Sequence, residues 1–225
     1  MTKPRPNYSN QVVHAMNRRV DRQTLFYSDN DYKDFIDIFE DAVYRFDMRV
    51  LEWVLMPNHW HMLLWPERDK QLSFFIKFLA ETHARHWRAK TDTVGQGAVY
   101  QGRYKAFPVG PGKHLNRLRN YLAMNPVMAN LVEESIDWRW GTANRVKNID
   151  VFHAIPLYDG PGAPPLDLKS LLTKPLALSE LETKILANSM TKGTPYGNEQ
   201  WIARIVEKLK LEHTNRKRGR PPKSK

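Results

Sequence analysis

The chain has 225 residues, enough for one domain with an appendage, and 41% of them are hydrophobic, enough for a buried core. It has no cysteine, which excludes disulfides, thiolate zinc sites and cysteine nucleophiles, and it has neither a secretory leader nor an apolar run that could span a membrane, so we expect a soluble cytoplasmic protein. The formal net charge of +11 favours a polyanionic partner.

The apolar patterns predict the element order β-α-β-β-α-β-α. A first strand covers 10–17, and Asp29 or Asn30 caps a helix whose apolar stripe ends at Phe46. The later elements are strands at 48–55 and 59–65, a helix at about 71–90, a strand at 99–109 and a third helix that carries Tyr121. This order is that of the ferredoxin-like βαββαβ fold, an α+β class with an antiparallel sheet, plus one helix.

The remainder of the chain divides into three segments beyond a first domain of residues 1–154. Prolines and glycines indicate a linker over 155–178. Two helices are predicted within 179–213, either as a helix-turn-helix-like DNA module or as a cover packed on the core. Residues 214–225 form a basic tail with a charge of +6, which leaves +5 for the body of the chain.

Two histidines flank one large hydrophobe in the segment His59-Trp60-His61. Aromatic and aliphatic residues on both sides predict buried strands, joined by a hairpin turn at Pro57-Asn58. Because side chains alternate along a strand, His59 and His61 point to one face and Trp60 to the other. Two adjacent imidazoles form half of a ligand shell for a divalent metal. The alternative is a pair of structural or exposed histidines.

A second candidate site lies on the third predicted helix, where Leu118 and Leu122 recur at helical spacing. Tyr121 and Asn125 are four residues apart and therefore share one face of this helix. Pro126 disfavours helical geometry in the residue before it, so Asn125 is either the last helical residue or the cap of a second short helix.

The combination of these two patterns resembles the REP-associated tyrosine transposases, bacterial relatives of the single-strand insertion-sequence transposases within the HUH nucleases. The pattern is a His-hydrophobe-His strand followed by Tyr-x-x-x-Asn-Pro-Val on a helix. Similar segments extend over most of residues 8–142 and include Asn17-Arg18-Arg19, Tyr100-Gln101-Gly102-Arg103-Tyr104 and Asp137-Trp138-Arg139-Trp140. The HUH nucleases share the βαββαβ layout, so the resemblance and the periodicity imply the same fold.

The resemblance implies a reaction and a substrate. Tyr121 would be the nucleophile of a DNA-cleavage reaction that forms a 5′-phosphotyrosine, and His59, His61 and the amide oxygen of Asn125 would bind Mg²⁺ or Mn²⁺, of which Mn²⁺ accepts nitrogen ligands more readily. The substrate would be single-stranded DNA folded into a REP-type hairpin. A monomer is implied, because one chain carries the whole constellation.

Basic residues are the candidates for DNA contacts. In the body of the chain they are Arg5, Arg18, Arg19, Arg103, Lys105 and Arg119, and in the tail they are Arg216, Arg218 and Arg220. The tail sequence Arg218-Gly219-Arg220-Pro221 resembles an AT-hook, whose arginines suit the minor groove of A·T-rich DNA. His14 of the first strand is interpreted as a structural histidine, with a supporting contact to a metal-binding histidine as the alternative.

Two other functions fit parts of the pattern. One is a catalytically silent DNA-binding regulator on the same fold, which requires Tyr121 or the metal ligands to be misplaced. The other is a metal-dependent hydrolase in which His59 and His61 hold zinc and water attacks. The absence of an acidic general base from the motif argues against the hydrolase.

Overall fold

The computed structural model describes residues 5–147, 155–161 and 178–215. Its strands are β1 (Val13–Arg18), β2 (Arg49–Met56), β3 (His59–Trp65) and β4 (Lys105–Pro108). Its α-helices are α1 (Asp29–Phe46), α2 (Gln71–Lys90), α3 (Lys113–Met128), α4 (Glu180–Lys192) and α5 (Glu199–Leu209). Among the described helices, none is both long and apolar enough to cross a membrane.

The strands form one antiparallel sheet in the order β2-β3-β1-β4. Together with the chain order β1-α1-β2-β3-α2-β4, this confirms the predicted α+β, ferredoxin-like fold. Strand β3 and helix α2 have the predicted bounds, since each has a long, uninterrupted apolar pattern.

Three local predictions about where elements begin were wrong. Strand β1 begins at Val13 and not at residue 10, because Asn10 adopts a positive φ in the turn that precedes the ladder. Helix α1 is capped by Ser28, not by Asp29 or Asn30, because the extended backbone of Ser28 allows a reciprocal capping box with Asp31. Strand β4 begins at Lys105 and not at residue 99, because Gly102 adopts a positive φ and turns the chain before the ladder starts.

The two faces of the sheet bury different helices. On one face, Trp60, Met62 and Leu64 of β3 join a cluster that includes buried residues of α1 and α2. On the other face, Leu63 packs in a second cluster with Leu118 of α3 and its neighbours along that helix. The alternation of β3 therefore separates a fully covered core face from the face on which α3 lies.

Part of the predicted linker pairs with the sheet edge. Leu157 forms a parallel bridge with Val50 of β2, and the Tyr158 amide donates to the Val50 carbonyl at 2.9 Å. Ile155 is buried in the core cluster. Residues 155–161 thus pack on the domain, while residues 162–177 lie outside the described residues.

The C-terminal helices pack on the same domain. Leu186 of α4 is buried in the α3-side cluster, whereas Ile205 and Leu209 of α5 join the cluster of α1 and α2. Between the helices, the Tyr196 amide donates to the Pro108 carbonyl of β4 at 3.0 Å. This packing favours a cover on the core over a separate DNA module.

We expect Gly193→Ala to weaken the docking of α4. Gly193 ends this helix with φ +76°, and an added Cβ would lie 3.1 Å from the carbonyl oxygen of Ala106 on β4. Gly102→Ala is the matched control, since Gly102 has φ +73° and nothing within 4 Å of a Cβ. Both changes cost about 1–2 kcal/mol from the left-handed backbone, and Gly193→Ala costs more in urea-unfolding free energy. Equal losses would show that the approach to β4 is not tight.

Candidate metal and nucleophile site

His59 and His61 lie side by side on the face of β3 that α3 covers, as the alternation predicts. Their ring centroids are 4.8 Å apart and the rings are nearly perpendicular. His61 is buried, and His59, at the start of the strand, is half-buried. In the sheet, His61 pairs with Met16 of β1 and Val54 of β2.

Each of the two imidazoles is oriented through its Nδ1 atom. Nδ1 of His59 is hydrogen-bonded to the side-chain oxygen of Asn58, and Nδ1 of His61 lies 2.9 Å from Nε2 of His14. These bonds leave the two Nε2 atoms as candidate ligands. His14 is therefore more than a strand residue of the core, since a bond to the second ring nitrogen fixes the orientation and tautomer of a metal-binding histidine.

All three histidines are held neutral. Burial lowers the pKa of His14 and of His59 to about 3, and burial also lowers the pKa of His61 well below its usual value. Neutral imidazoles keep a lone pair available for coordination near neutral pH.

Helix α3 continues through Pro126 to Met128, so Asn125 is an interior helical residue and neither of the expected helix ends. Proline has no N–H for the carbonyl of Leu122. The amide nitrogen of Asn125 partly compensates, donating to the carbonyls of Tyr121 at 2.9 Å and Leu122 at 3.4 Å. With its NH₂ group turned to the helix, Asn125 keeps its side-chain oxygen for another partner.

Tyr121 is half-buried and packs against the α3-side cluster that contains Leu63, two residues beyond His61. The histidine pair and the tyrosine helix therefore belong to the same face of the sheet. Burial raises the pKa of the Tyr121 phenol, so the hydroxyl is protonated at neutral pH.

The donor set fits a divalent cation. Two neutral imidazole nitrogens and one amide oxygen are ligands that Mn²⁺ accepts, and Mg²⁺ accepts the oxygen more readily than the nitrogens. Within the described residues, no group of three or more His, Cys, Asp or Glu side chains is placed to hold a metal ion. A site here thus depends on the amide as its third protein ligand.

Arg18 places a positive charge beside this site. It pairs with His59 across the β1–β3 ladder, and its charge contributes to the lowered pKa of that histidine. Its Nε atom is buried and has no hydrogen-bond partner among the described residues. The candidate site therefore combines neutral imidazoles with a cation that suits a phosphate.

The other basic candidates occupy three kinds of position. Arg5, Arg103 and Lys105 line one cavity beside β4. Arg19 stacks on Trp87 at 4.1 Å and donates to the Tyr27 hydroxyl at 2.8 Å, away from the histidine face. Arg119 is only 1% exposed and donates to the Tyr158 carbonyl at 2.7 Å. The tail candidates Arg216, Arg218 and Arg220 lie outside the described residues.

An acidic side chain buried beneath α3 has no signal in the sequence pattern. Glu52 follows the bulge of β2, where the register shifts after Val50, and its carboxylate is fully buried. Burial raises its pKa to about 8, against the opposing charges of Arg119 and Arg145. The helix that carries Tyr121 is thus set over an internal acid, and a glutamate in a strand gives no indication of this.

The chain is similar to known transposases in its sequence and in its fold. The family model described as IS200-like transposase matches residues 7–125. A solved REP-associated tyrosine transposase bound to a REP hairpin is 17% identical with a TM-score of 0.53, and the match covers 79% of this chain and all of that one. A putative transposase from Deinococcus radiodurans R1 is 18% identical with a TM-score of 0.37, covering 58% and 97% of the two chains. No curated protein matches the chain.

We expect Glu52→Gln to remove a pH-dependent loss of stability. The folded-state pKa is raised, so the contribution of Glu52 to stability is full below its unfolded pKa near 4.5 and is lost as the pH rises towards about 8. The loss is at most about 1.4 kcal/mol per pH unit. Urea unfolding at pH 5 and pH 8.5 should show the variant gaining on the wild type as the pH rises. A constant difference between the two proteins would contradict this account.

Proposed function

The chain belongs to the IS200-like transposase family, and we propose that it is a single-strand DNA endonuclease and strand transferase with Tyr121 as its nucleophile. Membership of the transposase family means that it acts on DNA. The cleavage of single strands by Tyr121 is our proposal. The observation that carries it is the placement of two neutral histidines and the Tyr121–Asn125 helix on one face of the sheet. The alternative is a catalytically silent regulator, which would bind the same DNA without cutting it.

The proposed reaction exchanges one phosphate ester for another. The phenol oxygen of Tyr121 bonds to phosphorus, the bond to the 3′-oxygen of the preceding nucleotide breaks, and a 5′-phosphotyrosine and a free 3′-hydroxyl result. The phenol gives up one proton and the departing 3′-oxygen takes up one. Since no water attacks, a new 3′-hydroxyl can reverse the step and join a different strand.

Side chains around the phenol carry out the positioning. His59, His61 and Asn125 would hold Mg²⁺ or Mn²⁺, which, when bound, supplies charge stabilisation for a non-bridging oxygen of the scissile phosphate. His14 keeps the His61 ring in place through their 2.9 Å contact. Arg18, beside His59, neutralises charge on the same phosphate. The α3-side cluster limits the movement of Tyr121.

REP-type hairpin DNA is the proposed substrate. A protein of the same fold has been solved with a REP hairpin bound, and this chain carries a net charge of +11. Arg5, Arg103 and Lys105 beside β4 are the proposed phosphate contacts of the body. Arg216, Arg218 and Arg220 of the tail are proposed to add electrostatic affinity. A monomer suffices, because one chain supplies every proposed group.

Removal of the phenol oxygen tests the nucleophile. Tyr121→Phe should abolish cleavage and the covalent protein–DNA adduct, seen by denaturing electrophoresis, while binding of the hairpin persists. Tyr44→Phe, an exposed tyrosine of α1, is the control and should cleave normally. Cleavage by Tyr121→Phe would assign the reaction to water or another residue. If wild-type protein binds the hairpin but never cuts it with metal present, the chain is a silent regulator.

Metal dependence tests the histidine pair. His59→Ala and His61→Ala should each abolish cleavage and weaken Mn²⁺ binding measured by electron paramagnetic resonance, because each removes an imidazole ligand. Asn125→Ala should cost less, since water can replace an amide oxygen. Chelator should silence the wild type, and added Mn²⁺ should restore it.

Exposed His86 of α2 provides the control for the metal experiment. His86→Ala should leave both cleavage and Mn²⁺ binding unchanged. Full cleavage by wild-type protein in chelator would refute the metal role.

A further inference from the structure

A basic cavity of about 320 Å³ lies between the N-terminal segment, β4 and the C-terminal helices. We propose that it is a subsite for one unpaired nucleotide of the bound DNA strand, with the phosphate held by the cations at the cavity mouth. The inference rests on the proposed function and adds the position of a specific contact to it.

The charge of the cavity selects an anion. Arg5, Arg103, Lys105 and Lys192 line it, and no carboxylate is among the described residues that form its wall. Arg5 is half-buried, stacks 3.9 Å from the centroid of the Tyr104 ring and donates to the Tyr104 carbonyl. Arg5 is therefore a fixed part of the wall, whereas the exposed Lys105 and Lys192 can reach a phosphate at the mouth.

The inner wall of the cavity suits a nucleobase. Tyr8, Ala106 and Leu211 are buried side chains that contribute apolar surface, and Tyr104 contributes an aromatic ring. Nucleobases bind single-strand proteins through such surfaces, because every base has an apolar face. A volume of 320 Å³ is at the low end of the range of about 300–1,000 Å³ for ligand sites, so the cavity accommodates one nucleotide and not a stack of several.

The sheet register connects the cavity to the proposed catalytic site. His61 of β3 pairs with Met16 of β1, and Met16 pairs with Lys105 of β4. Directly paired residues share a face, and adjacent strands are about 4.8 Å apart. The backbone of Lys105 is therefore about 10 Å from that of His61 on the same face. The apolar wall of the cavity belongs to the opposite face, since Tyr8, Ala106 and Leu211 join the cluster of α1 and α2. The cavity therefore lies at the β4 edge of the sheet, and a DNA strand with its scissile phosphate at His61 would reach it around that edge, past Lys105.

The C-terminal helices complete the cavity. Thr191, Lys192 and Gly193 at the end of α4 form one side, and His213 and its neighbours after α5 form another. These residues lie beyond the part of the chain that the family model matches. The extension thus gives the shared fold an additional contact with the strand that is cut.

A phosphate-neutralisation scan tests the subsite. The probe is a REP-type hairpin with single-stranded flanks, in which one flank phosphate at a time is replaced by an uncharged methylphosphonate. It is titrated into Tyr121→Phe protein, so that cleavage does not interfere. One flank position should cost about tenfold in affinity, the effect of losing one charge-assisted contact. In protein that also carries Lys192→Gln, replacing the phosphate at that position should reduce the affinity clearly less, because the lysine that contacts this phosphate is already absent.

Lys208→Gln provides the matched control, since Lys208 is an exposed lysine of α5 that does not line the cavity. Because this substitution removes one positive charge, it should lower the affinity for the hairpin slightly. The dependence of affinity on the position of the neutralised phosphate should stay as it is with Lys208 present. Lys105→Gln is a second probe, on β4 instead of α4. It should weaken the effect of neutralising the same flank phosphate as Lys192→Gln does.

Other outcomes separate the subsite from the proposed function. If the hairpin binds but no position couples to Lys192 or Lys105, the subsite is wrong while the proposed function stands. If a deoxynucleoside monophosphate binds to the cavity but no flank position of the hairpin couples to Lys192 or Lys105, the cavity is a site for free nucleotides and the inference also fails. If the hairpin does not bind at all, both proposals fall.

Discussion

Burial of Trp60 is the constraint on which the site depends. Its side chain is fully buried on the face of α1 and α2, with its ring centroid 6.3 Å from that of Phe35. Because side chains alternate along β3, this burial directs His59 and His61 to the opposite face. A slip of one residue in the register would turn Trp60 towards α3 and direct both imidazoles into the apolar core beneath α1 and α2. The apolar core therefore fixes the face on which the polar site lies, and the Nδ1 contacts of His59 and His61 set the orientation of the two rings.

The polar groups beneath the site are costly to bury, and the fold offsets only part of the cost. The contact of His14 with His61 satisfies one nitrogen of each ring, while Nδ1 of His14 is buried without a partner among the described residues. Glu52 is buried below α3 with a raised pKa. Polar groups held in the interior in this way are common at functional sites, where position matters more than stability. Here they lie under the two elements that carry the proposed ligands and the nucleophile.

The sequence predicted the structure best where the pattern within a single helix or strand determines it. The bounds of α2 and β3 followed from their own apolar patterns, and the shared face of His59 and His61 followed from alternation alone. The course of α3 through Pro126 was not predicted, because the Asn125 amide compensates for the missing backbone bond. The burial of Arg119 was also missed, since its partner Tyr158 is 39 residues away in a segment expected to be a linker. Contacts between distant segments leave no periodic signal, so a surface arginine and a buried one look the same in the sequence.

The division of the chain has a consequence for how such an enzyme selects DNA. The proposed ligands and the nucleophile lie within residues 7–125, the part that matches the IS200-like family. The proposed nucleotide subsite combines Lys105 from that part with Lys192 and His213 from outside it. Chemistry and strand selection can then change separately, because substitutions in α4 would alter the subsite without moving β3 or α3. Because the sheet register fixes the spacing between β3 and β4, a change in the extension would alter which nucleotide the proposed subsite holds and not which bond lies at the proposed histidine site.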